Sequence, residues 1–324
     1  MIAHHSMNRA IQMALLLWAS LQVSVPSAPA PSSSQGFAIS REVDFVVLPV
    51  TVMNRGGQFV SGLDESNFRV YENGRLQSIA LFRSEDTPVA VGLVVDRSGS
   101  MTARSNEVVE GAKAFVEASN PQDEEFVINF TEKARLGLPT NAPFTSDINQ
   151  LKAALSTFAG NGQTALYDAV TMGLQQVNRS QAGKKVLILI SDGGDNASQH
   201  KFAQVLRLAQ NANVVIYTIG LYDEHSADQN PKVLRQLASE TGGLTYSPST
   251  FEEVVRVCRQ IAGDIRHQYT IGYDPTDKSS NNYRKIRAEA FAAGRGKLTV
   301  RTRAGYLPGT SKTGNSEARQ SANR

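Results

Sequence analysis

The stretch Val89-Ala90-Val91-Gly92-Leu93-Val94-Val95-Asp96-Arg97-Ser98-Gly99-Ser100-Met101 decides the fold. Its first seven residues are a continuous apolar run, the pattern of a strand covered on both faces. The run stops at a carboxylate, and two hydroxyls follow at alternate positions. Val108, Ala112, Phe115 and Val116 then recur at helical spacing, and Phe126 to Phe130 reads as the next strand. Further on, helices are read around Leu151 and Leu155, around Leu166, Val170, Leu174 and Val177, around Phe202, Val205, Leu206 and Ala209, and around Val233, Leu234 and Leu237. Strands at Val186 to Ile190, at Val214 to Ile219 and, weakly, at Leu244 to Tyr246 lie between them, and a last helix runs from Phe251 to Arg266. Strands alternating with helices predict an α/β fold, doubly wound, with a mostly parallel sheet and helices on both faces.

Outside this body the pattern is β. Before it stand Val43 to Val52, Phe68 to Tyr71 and Leu76 to Phe82, with Asn73-Gly74 as a hairpin signal between the last two. After it stand Gln268 to Tyr273, Tyr283 to Phe291 and Lys297 to Arg303. Neither flank has enough strands for a core of its own, so the two are expected to pair into one small β domain from which the α/β domain emerges as an insertion. The expected boundaries are 37–86 and 268–308 for the two β segments and 87–267 for the α/β domain, after a leader at 1–28 and a linker at 29–36, with a polar tail at 309–324.

The composition fits a soluble globular protein. Of 324 residues, 41% are hydrophobic and 19% charged, which excludes collagen-like, disordered and polytopic membrane classes. The formal charge is +3, but Arg9 lies in the leader and Lys312, Arg319, Arg324 and Glu317 lie in the tail, leaving 29 basic and 29 acidic residues between them. A neutral body gives no reason to expect a nucleic-acid partner. The N-terminus, with Arg9 before the apolar run Ala10 to Val25 and then small residues and prolines, reads as a secretory signal, so a secreted or periplasmic location is expected, with an uncleaved N-terminal anchor as the alternative. No later segment is apolar enough to span a bilayer. Cys258 is the only cysteine; it lies on the apolar side of a helical pattern and is expected to be buried and structural.

In open α/β sheets ligands bind beyond the carboxyl ends of the strands. Two strands here end in carboxylates, at Asp96 and at Ser191-Asp192, and Gly160-Asn161-Gly162-Gln163-Thr164 supplies a flexible loop ending in a hydroxyl. Asp96, Ser98, Ser100, Thr164 and Asp192 offer oxygen only, which suits a hard cation such as Mg²⁺, with Mn²⁺ and Ca²⁺ as alternatives. Each piece has a structural alternative. Ser98, Ser100 or Thr164 would serve as helix caps, and Asp192 as a turn residue.

Asp96-Arg97-Ser98-Gly99-Ser100-Met101 resembles the DxSGSM signature of von Willebrand factor type A domains. The threonine and the Asp-Gly of their metal-ion-dependent adhesion site have counterparts in Thr164 and in Asp192-Gly193. The resemblance covers about residues 87 to 267. The flanking Tyr269 to Tyr273 and Val300 to Tyr306 look like those of bacterial exported proteins carrying this domain. The resemblance implies that Ser98, Ser100 and Thr164 bind the metal directly, with Asp96 and Asp192 acting mostly through water. It further implies a protein partner that completes the shell with an Asp or Glu, in adhesion or envelope assembly. Arg97, at the variable position, is expected to tune charge at the mouth, and Asp195 to be a rim or turn residue.

Two other functions fit the sequence less well. A Mg²⁺-dependent phosphohydrolase using Asp96 would want a second carboxylate where Ser98 stands, and no nucleophile and base can be paired among the five histidines and their surroundings. GxSxG, P-loop, dinucleotide and zinc patterns are absent, so no catalytic activity is expected. A metal-independent scaffold would not need all five oxygen positions.

Overall fold

The computed structural model describes residues 45–308 except residue 85 and segments 157–161, 223–227 and 278–281. The expected leader, linker and tail, and His225, lie outside the described residues.

The strands are β1 Val46–Met53, β2 Phe68–Glu72, β3 Arg75–Gln77, β4 Ile79–Arg83, β5 Val89–Asp96, β6 Glu124–Phe130, β7 Ala134–Leu136, β8 Lys184–Ser191, β9 Val215–Gly220, β10 Thr245–Tyr246, β11 Tyr269–Tyr273, β12 Arg284–Ala290, β13 Thr299–Arg301 and β14 Gly305–Tyr306. The helices are α1 Ser105–Ala118, α2 Ile148–Ser156, α3 Leu166–Val177, α4 Phe202–Asn211, α5 Pro231–Thr241 and α6 Phe251–Arg266. The apolar run Val89 to Val95 forms β5. Every residue in it is buried, because it sits inside a six-stranded sheet of order β10-β9-β8-β5-β6-β7. All neighbours in this sheet are parallel except β6 and β7. Gly92 is required at the centre of β5, since a Cβ there would lie 2.3 Å from the Phe126 ring. Helices α1, α2 and α6 pack together, as do α3, α4 and α5, giving two helical layers.

From β5 the chain steps to β6 on one side; from β8, the neighbour of β5 on the other side, it steps away to β9. The carboxyl ends of β5 and β8 therefore flank the switch in strand order, where a crevice forms.

The remaining eight strands form two four-stranded antiparallel sheets, β13-β1-β11-β4 and β14-β12-β2-β3. Each contains strands from both ends of the chain, which is the expected arrangement of an α/β insertion between paired β flanks. Leu48, Val50, Phe68, Val70, Tyr269, Ile271 and Tyr273 build the core between them. Asn73 and Gly74 both have positive φ, 48° and 80°, as a tight hairpin between β2 and β3 demands. The expected single strand Leu76 to Phe82 divides at Ser78. Its first part stays beside β2, and its second crosses to β11 in the other sheet. A corner of this kind answers to the facing sheet, so local pattern does not show it.

Candidate functional site at the ends of two parallel strands

Asp96 is the last residue of β5 and is 1% exposed. Both its oxygens are held: the Ser98 backbone N–H donates to Oδ1 at 2.9 Å, and Ser191 Oγ donates to Oδ2 at 2.6 Å. Burial pushes its carboxyl up to about 6 against those hydrogen bonds, and neighbouring Asp192 pushes it the same way. Two carboxylates so close in a buried crevice favour a positive charge between them.

Ser98 is buried, Ser100 is exposed, and their hydroxyl oxygens lie 3.2 Å apart. Ser98 occupies the cap position of the 3-10 turn Gly99–Arg104 but makes no side-chain cap bond. Thr164 likewise caps nothing with its side chain: α3 is preceded by Ala165, without a side-chain cap. The first turn of α3 is served instead by the β8–α4 loop, with Asp195 accepting from the Tyr167 N–H at 3.1 Å and Ser198 Oγ accepting from the Asp168 N–H at 3.1 Å. The capping alternative for both hydroxyls is therefore not what the fold uses, and Asp195 is a cap supplied from another loop.

Three loops are tied together under these side chains. The Gly99 N–H donates to Gly162 O at 3.2 Å, the Thr164 N–H to Asn196 Oδ1 at 2.8 Å, and the Asn196 N–H to Thr164 O at 3.0 Å. Asp192, 3% exposed, accepts from the Gly194 N–H at 2.9 Å through Oδ1. Among the described residues, no protein hydrogen bond engages Thr164 Oγ1 or Asp192 Oδ2, although both residues are buried. Gly193 fixes this turn with φ of 84°, and a Cβ there would meet the Asn230 carbonyl at 2.4 Å.

The five expected residues thus come from three loops at one crevice. The donor set of three hydroxyls and two carboxylates, two of its oxygens without protein partners, fits a hard divalent cation. Among the described residues no group of three His, Cys, Asp or Glu side chains stands ready for a metal.

Arg97 differs from expectation. It is 4% exposed and turns inward, donating to Asn129 Oδ1 at 3.2 Å, to Ser105 Oγ at 3.3 Å and to the Leu155 carbonyl. It anchors the loop from beneath rather than charging the mouth, because buried acceptors on β6 and α2, Asn129 Oδ1 and the Leu155 carbonyl, receive its guanidinium. Ser191 had no role in the sequence reading, yet it holds Asp96 and also accepts from the Gly193 N–H at 3.0 Å. Its signal was its place beside Asp192 at a strand end.

His200 pairs with Asp168 at 2.6 Å and His267 stacks on Phe59 at 5.2 Å between ring centroids. Cys258 is buried and its thiol is pushed up to about 12 by that burial. Among the described residues no helix is long and apolar enough to cross a membrane.

The sequence profile of the von Willebrand factor type A domain matches residues 91–260. A curated relative, an uncharacterized protein of Borreliella burgdorferi strain B31, is 26% identical over 180 residues, 50% of this chain and 51% of that one. The chain thus spans about half the length of the curated relative it matches. Among solved structures, a von Willebrand factor type A protein from Catenulispora acidiphila superposes with a TM-score of 0.50 at 15% identity, over 87% of this chain and 79% of that chain. Proximal thread matrix protein 1 from the mussel byssus, solved with a zinc-occupied MIDAS motif, gives 0.48 at 18% identity, over 60% of this chain and 49% of that chain.

Proposed function

We propose, from the premise that this chain belongs to the von Willebrand factor type A domain family, that it is an exported, Mg²⁺-dependent protein-binding module acting in adhesion or envelope assembly. Such domains often bind partner proteins. The observation that carries the reading is the convergence of Ser98, Ser100, Thr164 and Asp192 on one crevice, with hydroxyls that cap no helix. Ser98, Ser100 and Thr164 would hold the ion directly, and Asp96 and Asp192 through water. When bound, the ion supplies a positive charge, little neutralised by hydroxyl ligands, to which a partner's carboxylate can attach.

The chain's own residues do the positioning. Asp96 is clamped by Ser98 N–H and Ser191 Oγ, which fixes the floor. The bonds from Gly99 to Gly162 and between Thr164 and Asn196 fix the spacing of the loops. A partner residue Asp or Glu would be selected because a cation held by these oxygens, and not an apolar pocket, would stand at the mouth of the crevice.

A phosphohydrolase would need a carboxylate free to attack; both oxygens of Asp96 are engaged, so the binding reading is preferred. Calorimetric titration of the purified protein with Mg²⁺ and Mn²⁺, beside Asp96→Ala, tests it: saturable binding in the parent only is expected, and no binding in either removes the mechanism. Aryl-phosphatase turnover lost in Asp96→Asn would instead favour the enzyme.

A further inference from the structure

The first turn of α3 and the β8–α4 loop hold each other by reciprocal bonds. The helix start gives its N–H groups to the loop: Thr164 N–H to Asn196 Oδ1 at 2.8 Å, and Tyr167 N–H to Asp195 Oδ1 and Asp168 N–H to Ser198 Oγ, both at 3.1 Å. The loop answers in kind. Thr164 O accepts from the Asn196 N–H at 3.0 Å and from the Ala197 N–H at 3.1 Å. The Asp168 carboxylate closes the far end: Oδ2 accepts from the Gln199 N–H and Oδ1 from the His200 N–H, both at 3.0 Å, and His200 Nδ1 lies 2.6 Å from Oδ1. Within the loop Ser198 Oγ donates to Asp195 Oδ1 at 2.5 Å, and Asn196 Nδ2 donates to Asp228 Oδ2 at 3.3 Å, which turns the Asn196 carbonyl oxygen toward Thr164.

Residues 195 to 200 belong to no helix or strand, so these bonds set their position. Burial on its own would raise the Asp168 carboxyl, but the Gln199 and His200 N–H groups and the His200 ring outweigh it and hold the group below the ordinary carboxylate range. The anchor therefore stays charged at neutral pH. Its grip bears on the spacing of Thr164 and Asp192, which come from different elements. Asp192 is set by β8 and by the Asn230 N–H, which donates to its carbonyl at 3.1 Å. Thr164 is set by Asn196 and Ala197, with one further bond from the Ala165 N–H to Thr131 O at 2.7 Å. The span between the two side chains thus depends on residues 195 to 200 staying in place. A fixed span matters more for one ion than for another. Mg²⁺ demands near-ideal octahedral geometry at about 2.0–2.1 Å, whereas Ca²⁺ accepts about six to eight oxygens at about 2.3–2.6 Å in flexible arrangements.

We propose that Asp168 is a positioning residue that gives the crevice a preference for Mg²⁺ over Ca²⁺, by clasping the β8–α4 loop to α3 and so holding Thr164 at a fixed span from Asp192. This role rests on the Mg²⁺ reading proposed for the crevice. Asp168 stands one helical turn beyond Thr164 and both its oxygens are taken by the loop, so it acts through Thr164 and not as a ligand. Supporting groups of this kind orient the ligands of a metal site and tune its affinity.

The test titrates the full chain and its Asp168→Ala, Asp168→Asn and His200→Ala variants calorimetrically with Mg²⁺ and, separately, with Ca²⁺, and follows amide exchange by NMR in EDTA. The parent is expected to bind Mg²⁺ more tightly than Ca²⁺. Asp168→Ala should weaken Mg²⁺ binding by about 10- to 100-fold and Ca²⁺ binding by roughly threefold or less, so that the preference collapses. In the metal-free variant, exchange at the Thr164, Asn196 and Ala197 amides should quicken by about tenfold or more while the β5 amides are unchanged. Asp168→Asn keeps one acceptor oxygen and His200→Ala keeps both backbone bonds, so each should lose about two- to fivefold of the preference; these two variants decide the matter if Asp168→Ala does not fold. Equal losses of Mg²⁺ and Ca²⁺ affinity would show that Asp168 supports the fold and not the selectivity, and overturn the proposal. So would an unchanged preference, unchanged exchange at the Thr164 and Asn196 amides, or a parent that prefers Ca²⁺. Each of these outcomes leaves metal binding by the parent, and with it the proposed function of the crevice, in place. A parent that binds neither ion removes both.

Discussion

Arg301 of β13 pairs its guanidinium with the Asp264 carboxylate of α6, which is 0% exposed. The same carboxylate accepts from Thr51 Oγ1 of β1 at 3.1 Å and from the Tyr217 hydroxyl of β9 at 2.7 Å. One buried charge thus receives donors from the β-sandwich and from the central sheet. Gly242, which ends α5 with φ of 86°, lies against the same segment: a Cβ there would be 2.7 Å from the Arg303 N. The insertion is joined to its host by polar bonds as well as by two covalent crossings.

Arg301→Met is expected to destabilise the protein by about 3 to 5 kcal/mol, because it leaves the Asp264 charge buried without its cation. Arg301→Met combined with Asp264→Asn should recover part of that loss, since the uncompensated charge goes too. Urea unfolding of the parent, both single variants and the double variant measures the coupling. Equal losses in Arg301→Met and the double variant would mean that the pair is not what matters.

The strand-end crevice makes a separate prediction about metal. Thr164→Ala and Ser98→Ala should each weaken Mg²⁺ binding by roughly 10- to 100-fold or more, as loss of a ligand or its support does, with little change in metal-free stability because neither hydroxyl caps a helix. At 100 times its Kd, Mg²⁺ should stabilise the parent by about 2.7 kcal/mol. Thermal scans with Mg²⁺ and with EDTA read both effects, and identical melting temperatures in the two conditions would contradict the assignment.

Gly193→Ala tests the same site through the backbone. The positive φ and the 2.4 Å approach of a Cβ to the Asn230 carbonyl make alanine strained there. A loss of about 1 to 3 kcal/mol is expected, together with weaker Mg²⁺ binding, because the Gly193 N–H holds Ser191 and Ser191 holds Asp96. Calorimetry on the folded variant separates the two consequences.

The parts of this protein that local pattern makes legible are those where one residue's role is set by its own strand. β5 and the Val186 to Ile190 part of β8 are continuous apolar runs that lead into Asp96 and Asp192, and Asn73-Gly74 marks a tight turn. The helical spacing around Cys258 likewise marks it as buried. What stayed illegible depends on residues distant in sequence. Arg97 turns inward because Asn129 and the Leu155 carbonyl receive it. The strand at Leu76 to Phe82 divides because β11 offers a second partner. Asp195 caps α3 across 28 positions of sequence. Short β7, antiparallel at the sheet edge, had too few residues to show a period.

Glu125 is 3% exposed, and neither of its carboxylate oxygens has a hydrogen-bond partner among the described residues. The neighbouring Ser119 hydroxyl, which favours the charged form, donates to the Phe115 carbonyl at 3.1 Å. Burial pushes the Glu125 carboxyl up to about 7, Asp123 adds to the rise and Arg266 opposes it. A carboxyl whose pKa is raised by folding keeps its proton in the native state after the unfolded chain has lost it. Stability from this group is therefore fully present below the ordinary glutamate value near 4.3 and is lost as pH climbs through about 7. The full swing is at most roughly 4 kcal/mol at 1.36 kcal/mol per pKa unit. Glu125→Gln, which cannot ionise, removes this contribution, so the difference in unfolding free energy between variant and parent should move in the variant's favour from pH 5 to pH 8. A difference that stays flat across that range would show that Glu125 titrates alike in the folded and unfolded chains.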